Sequence, residues 1–585
     1  MIRRIFKSAV CIMVALMVYQ PSNACSNVIV SKGASKDGSV MVTYAADSNL
    51  LYGELYFTPA GVFPAGTYLD VTEWDTGKFL GKIPQIGKTY QTVGNMNEHQ
   101  VIITETTFGG REELADPNGI LDYGSLIYIT LQRAKTAREA IKIIDELMQT
   151  YGYASGGESF SIADTEEAWI MEIVGKGTKE KGAVWVAARV PDGYICAHAN
   201  QSRIHKINFN DPENWLYTED VVDFAREMGY YKGSDEDFSF CDAYCPADFS
   251  GMRACEARVW SAYNILGKGM FNDTKAEEYL DFAMGYNSAN KMPLFIKPAE
   301  KVSVKQLADV MRDHYEGTPM DMTQDIGAGG HHSPIRWRPT YFEVDGKKYL
   351  NERPLAVQQT GFWMLGQARG WLPDEVGGVI WFGVDDAATS CLTPIYTCIT
   401  EVPECFRVGN GDLLTYSPTS MFWLTNRVAH MAYLMYDKIA PDIQAAASSF
   451  ENKCVEELKT VDAQALEVIK NGGDVRNYLT SYSLARAQTM FDIYKELDTY
   501  FLVKYLDGYI KVQNPDGTFK DNGYTPLIPA APIQPSYSQK WKEAVAADPA
   551  AAQTIVSQPK KEEAATTVET EATTENAETT ETPVK

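Results

Sequence analysis

The amino-acid sequence predicts an α+β fold in which sheets stack on one another and helices pack outside them. Three observations predict it. From Ser26 to about residue 199, short β-branched and aromatic runs follow one another between turn signals; one amphipathic helix interrupts them; and beyond Pro418 the pattern becomes helical to about Leu506.

The strand runs are "SNVIVS", "SVMVTYA", "LYGELYF", "QVIITETT", "ESFSIAD", "AWIMEIV", "AVWVAAR" and "GYICAHA". They are apolar or alternating over short stretches, bounded by turns such as "KDG" and "PDG", as strands are. In "TAREAIKIIDELMQTYGY", Ile141, Ile144, Met148 and Tyr151 recur at helical spacing, with Thr136 at the start and "SGG" after the end. Residues 256–300 read as helical, and 331–416 as mixed strand and loop with "YFEVDGKKY" as a hairpin. The segments "MFWLTNRVAHMAYLMYDKI", "ENKCVEELKTVDAQALEVIK" and "SYSLARAQTMFDIYKELDTYFLVKYL" are helices expected to pack on the main body. The chain therefore divides into a leader (1–24), a main domain (25–416), a helical region (417–528) and a tail (529–585). The end of that tail, "KKEEAATTVETEATTENAETTETPVK", has almost no large apolar residue to offset ordering entropy and is expected to be solvated and disordered.

The leader carries Arg3, Arg4 and Lys7, then the apolar run "AVCIMVALMVY", then "QPSNA" with Ser22 and Ala24 three and one before Cys25. This is the pattern of a secretory signal peptide, and its apolar run falls short of the roughly 20 residues that cross a bilayer. Cleavage after Ala24 places the product in the periplasm or outside the cell, without stable membrane insertion. It also makes Cys25 residue one, with a free α-amine beside its thiol. A thiol of pKa about 8.5 and an amine of about 7.7–8.0 exchange protons near neutral pH, and activation by a residue's own amine is an established device. The competing fate is a lipid-anchored cysteine on a binding protein. Such a site usually has an aliphatic residue three positions earlier, where this chain has Ser22.

A net charge of −24 argues against a nucleic-acid partner, which needs a basic face. Ten cysteines include Cys11 in the leader and Cys25; the other eight (196, 241, 245, 255, 391, 398, 405, 454) allow disulfides that sequence cannot pair. "CDAYC" and the seven-spaced Cys391, Cys398 and Cys405 lack the paired short spacings of zinc sites. "GKIPQIGKT" lacks the first glycine of a phosphate-binding loop, which is Lys82 here. The adjacent His331 and His332 read as loop residues. No metal or cofactor is expected.

The mature start "CSNVIVSKGASKDGSVMVTYAADS", then "GNMNEHQVIITET", "SFSIADTEEAWIMEIVGKG", "GYICAHANQ" and "QTGFWMLGQARGWLPDEVGGVIWFGVDDAATS" together resemble the dipeptidase branch of the N-terminal nucleophile (Ntn) hydrolases. Penicillin acylases and bile-salt hydrolases are its wider relatives. The likeness spans roughly 25–440. It implies a four-layer αββα sandwich with added C-terminal helices, whose first strand presents the nucleophile, and it makes 25–416 a catalytic domain with insertions.

Residue by residue, the resemblance implies Cys25 as nucleophile, Asp47 as the aspartate that helps hold the amine, and Asn200 as a side-chain oxyanion donor. It implies a second donor, a backbone N–H, near Thr107. Arg258 matches an active-site arginine, with Arg253 as the alternative. Where the amidase relatives have an arginine three residues before the aspartate, this chain has Tyr44. The implied activity is hydrolysis of short peptides, dipeptides above all, through an acyl-enzyme. An acylase or bile-salt-type amidase with the same nucleophile is the second possibility. Arg336 and Arg338 of "PIRWRP" are candidate partners for a peptide carboxylate or members of surface ion pairs, and Trp363, Trp371, Trp381 and Phe382 are expected in the core.

Overall fold

A computed structural model describes residues 25–548. The leader, 1–24, and the tail from 549 lie outside the described residues.

Two antiparallel sheets form the centre. One runs in the order Ile195–His198, Asn27–Val30, Val40–Asp47, Thr360–Ala368, Gly378–Val384, Thr393–Tyr396. The other runs Trp215–Tyr217, Ala183–Arg189, Ala168–Gly175, Gly157–Ala163, Ile102–Gly109, Met96–Asn97, Thr92–Val93, Phe57–Thr58. The sheets meet where Val40–Asp47 packs on Ile102–Gly109 and Gly157–Ala163.

Alternation sorts each strand between two cores. Ile102 and Ile170 belong to the large core that also holds Ile29, Val42 and Met364, whereas Ile103, Trp169 and Met171 join Ile144 and Met148 of the helix Ala137–Tyr151 in a second core. Both faces of these strands are buried, which is why their sequences read as near-continuous apolar runs. The helix is capped as its sequence suggests: the Thr136 hydroxyl accepts from the Glu139 N–H at 3.2 Å, and Gly152 ends it at φ 80°. On the first sheet, Met421–Leu434 packs on Gly378–Val384, and Tyr436–Lys470 and Val475–Lys504 pack on Thr393–Tyr396.

Several elements differ from the sequence expectation. A helix at Tyr123–Leu131 went unread because it is apolar on nearly every side, so no periodic stripe marks it. The run "LYGELYF" contributes only Phe57–Thr58 to a sheet. The helical reading of 256–300 holds for Ala257–Leu266 and again for the short turns Ala276–Tyr279 and Leu280–Ala283; between them Lys268 and Gly269, at φ 50° and 83°, turn the chain into short strands. The hairpin Tyr341–Val344/Lys347–Leu350 is present, turned by Asp345 and Gly346 at φ 51° and 74°. A tail starting at 529 begins too early: Ile510 and Ile533 exchange backbone hydrogen bonds of 2.9 and 2.8 Å, fastening that stretch. From Gln539 a separate unit begins, described here only as the helix Gln539–Ala547.

All nine described cysteines are unpaired thiols. His331 and His332 point to different partners, Asp437 and the Thr323 carbonyl. Trp363, Trp381 and Phe382 are core residues, but Trp371 is 53% exposed.

Candidate active site

Cys25 lies directly before the strand Asn27–Val30, with the Ser26 and Ala45 backbones bridged beside it. The residue is 4% exposed. Its thiol donates to Glu105 Oε1 at 3.3 Å, and the Asp47 backbone N–H donates to its sulfur. Burial pushes the thiol well above its ordinary pKa, and the carboxylates of Glu105 and Asp47 push it further.

Arg258 ties the surroundings together. It projects from Ala257–Leu266 and is 1% exposed. One terminal nitrogen donates to the Cys25 carbonyl (2.6 Å) and the Ser26 hydroxyl (2.9 Å), the other to the Ala199 carbonyl (3.2 Å) and Asn200 Oδ1 (2.8 Å), while Nε donates to the Ala254 carbonyl (2.7 Å). A planar fork with five N–H donors can hold this many acceptors where a lysine cannot. Burial and the nearby Arg353 lower its pKa to about 10, leaving it charged at neutral pH.

Asn200 stands just past Ile195–His198 at φ 58°, a conformation asparagine tolerates better than most residues. With its Oδ1 held by Arg258, its Nδ2 donates to the Thr107 carbonyl at 2.7 Å and keeps a second N–H. The loop is braced from behind: Arg203 pairs with Glu256 at 3.0 Å and donates to the Ala197 carbonyl at 2.9 Å, and the Glu172 carboxylate accepts from the Arg203 N–H at 2.6 Å. Burial raises Glu172 to about 7.

Asp47 ends the second strand with its side chain buried. It receives the Arg353 guanidinium and, at 2.6 Å, the Thr360 hydroxyl. Burial nevertheless raises its pKa, more than Arg353 and Thr360 lower it. Cys25, Asp47, Thr107, Asn200 and Arg258 thus gather at one place. Of the two candidate arginines, Arg258 is the one that touches Cys25; Arg253 pairs with Glu352 instead.

Sequence reasoning missed three residues here, Glu105, Glu158 and Arg353, and the contact made by a fourth, Tyr44. Tyr44 donates its hydroxyl to Glu105 Oε1, the atom that also receives the thiol. The Glu105 and Glu158 carboxyls hydrogen-bond to each other, and Thr107 Oγ1 donates to Glu158 Oε2 at 2.9 Å. Burial raises both carboxyls. Arg353 brings a cation to Asp47 from 306 positions away. The doublets in "ITETT" and "GESFS" carried the only signal for the carboxyls, and nothing in "NERPLA" distinguished Arg353 from a loop cation.

Arg336 does not offer itself to a ligand: it is 7% exposed and donates to Asp325 (2.6 Å) and the Met322 carbonyl (2.8 Å). The described residues include one grouping with metal-ligand chemistry, His205, Cys241 and Asp242. Its cation is Lys291, whose ammonium donates to Asp242 and lies 3.4 Å from His205 Nδ1.

Comparison with known proteins completes the picture. The probable dipeptidase of Latilactobacillus sakei is 24% identical over 78% of this chain and 90% of its own length. Probable dipeptidase B of Lactococcus lactis subsp. lactis (strain IL1403) is 24% identical over 64% of this chain and 69% of its own, and dipeptidase A of Lactobacillus helveticus 22% over 69% and 76%. The profile of peptidase family C69 matches residues 57–449. That match begins after Cys25 and Asp47, so their assignment stands on the geometry above and on the resemblance of the mature start. Matched over most of its length, the chain belongs to peptidase family C69 and is a hydrolase of peptide bonds.

Proposed function

We propose that the chain is an exported cysteine dipeptidase of the Ntn type. Removal of residues 1–24 during passage to the periplasm or the exterior frees the Cys25 amine. That amine takes the thiol proton, sulfur bonds to the substrate carbonyl carbon, and the carbonyl electron pair moves to oxygen. The second N–H of Asn200 and the N–H near Thr107 receive this oxyanion. As the carbonyl re-forms, the C–N bond breaks and the protonated amine gives its proton to the leaving nitrogen. Water, deprotonated by the same amine, then displaces sulfur from the acyl-enzyme and releases the acid.

The observation that carries this reading is the Arg258 clasp. One guanidinium grips the carbonyl of Cys25 and the side chain of Asn200, which in turn holds Thr107. Paired sheets with helices outside each support the four-layer αββα arrangement of that hydrolase class. The relatives named dipeptidases support short peptides as substrate. The test uses protein whose N-terminus is verified by mass as unmodified Cys25, assayed on a dipeptide panel. Cys25→Ala should abolish cleavage and the acyl-enzyme mass; unchanged cleavage by that variant refutes the nucleophile, and a diacylglyceryl mass on Cys25 refutes the enzyme mechanism.

A further inference from the structure

We propose that Glu105, backed by Glu158, binds the α-ammonium of the substrate, so that the enzyme both selects peptides with a free N-terminus and is activated by them. The proposal rests on the dipeptidase reading above and adds the group that recognises the substrate's amine.

Geometry requires the recognising anion to lie close to the sulfur. A carbonyl carbon poised for attack sits about 3–3.5 Å from the nucleophile. The α-nitrogen of the same residue is about 2.5 Å from that carbon, by standard bond lengths and the N–Cα–C angle. An anion serving that nitrogen must therefore stand within a few ångströms of Sγ, and Glu105 Oε1 is 3.3 Å away.

Of the two carboxyls, Glu105 is the one that faces the sulfur: its Oε1 accepts from both the Cys25 thiol and the Tyr44 hydroxyl, with Glu158 beside it. Both residues are essentially buried, at 1% and 0% exposure. Glu105 Oε2 and Glu158 Oε1 are buried with no hydrogen-bond partner outside the carboxyl pair. A buried carboxylate with no cation of its own is costly unless a ligand supplies one. The cations at the site are engaged elsewhere, Arg258 on carbonyls and Asn200, Arg353 on Asp47.

Acidic residues continue outward. Asp75 accepts from the Tyr123 hydroxyl at 2.8 Å and is close enough for its charge to act on Glu105 and Glu158. It lies on the wall of a cavity of about 230 Å³ together with Glu54, Tyr52, Tyr56 and Trp74. A cationic amine is drawn into such a cleft, and an acyl carboxylate is repelled.

Activation follows from the same contact. In the empty site the thiol donates to a carboxylate, so losing its proton would set two anions side by side. An ammonium on Glu105 replaces the thiol as donor and neutralises that carboxylate, which lets the sulfur hold charge as the Cys25 amine removes the proton. No atom is exchanged with Glu105 in this step.

The experiment compares kcat/KM for Ala-Ala and N-acetyl-Ala-Ala in wild type, Glu105→Gln and Glu158→Gln, each verified to start at Cys25. Wild type should prefer the free amine by about 100-fold or more, as expected for a buried charge pair. Glu105→Gln should collapse the ratio at least tenfold and move the iodoacetamide alkylation profile of Cys25 to lower pH. Circular dichroism and thermal melting that match wild type establish that Glu105→Gln is folded, and Glu158→Gln, which leaves Glu105 in place beside the sulfur, should lose less of the preference than Glu105→Gln. Equal cleavage of both peptides by wild type, or an unchanged ratio in folded Glu105→Gln, overturns this proposal alone. A wild type that cleaves neither peptide overturns the dipeptidase reading and this proposal with it.

Discussion

Replacing Arg353 by Met should destabilise the protein in a way that depends on pH with a definite sign. Arg353 and Asp47 form an ion pair whose side chains are 4% and 0% exposed. Removing one partner of a buried pair typically costs about 3–5 kcal/mol, because the other charge is left unpaired. In wild type, burial already raises the Asp47 pKa against the lowering by Arg353, Thr360 and Arg258. Without Arg353, the strongest of those opposing influences, the folded-state pKa rises further. A folded pKa above the unfolded value of about 3.9 gives stability that is fully present below that value and lost as pH rises through the folded pKa. Below the wild-type Asp47 pKa both proteins carry a neutral carboxyl, and the deficit of the variant should be smallest. Above it the deficit should widen by up to about 1.4 kcal/mol per pH unit, reaching its full size over roughly two to four units. Urea unfolding at intervals from pH 4.5 to 8.5 measures this. Asp47→Asn combined with Arg353→Met leaves no charge to strand and should regain most of the loss at pH 8. A deficit that is the same at every pH, or a double variant as unstable as the single one at pH 8, would refute the reasoning.

Asn200→Ala should lower kcat about 10²–10³-fold with little change in KM, the signature of losing one oxyanion donor, and steady-state kinetics on a dipeptide check it. His198 is buried between the Thr106 and Ser161 hydroxyls at 2.8 and 2.7 Å, and burial pushes it down to about 3. Because its folded pKa is depressed, the unfolded chain takes up its proton first as pH falls below about 6.5, so wild type should lose about 1.4 kcal/mol per pH unit relative to His198→Gln, roughly 3 kcal/mol by pH 4. Glu172, raised to about 7, acts with the opposite sign but in both proteins, so it cancels in the difference; a pH-independent difference in urea unfolding would remove His198 as its source.

What the sequence disclosed and what it hid divide along one physical line. Strands buried on both faces write themselves as continuous apolar runs, and the helix Ala137–Tyr151, buried on one face, writes a periodic stripe. Residues 123–131 are helical yet apolar all round, so periodicity has nothing to report. At the site, Cys25, Asp47 and Asn200 each sit at a strand end inside a recognisable segment, and Thr107 follows by counting from "MNE". Glu105 and Glu158 are another matter. On their strands they look like polar positions of half-exposed sheet, and only the register, with Thr107 opposite Glu158, sets the two carboxyls diagonally on one face. Arg353 lies beyond any local rule, because long-range folding alone brings it to Asp47.

The distribution of charge around the sulfur has a further consequence within the proposed scheme. Glu105 and Asp47 both oppose thiolate formation, and Arg258, though it grips the Cys25 carbonyl, is bound up with five acceptors. The proposed scheme adds cations that arrive later. In the scheme these are the α-ammonium of Cys25, which exists only once residue 24 is gone, and the ammonium of the substrate on Glu105. While the Cys25 nitrogen is held in a peptide bond it is neutral, so the precursor keeps a protonated, weakly nucleophilic thiol. The site is thus arranged to stay silent until it has been both processed and filled. Tyr44, which donates to Glu105 and brings no positive charge, fits that scheme, because a permanent cation at its place would sustain the thiolate before either event.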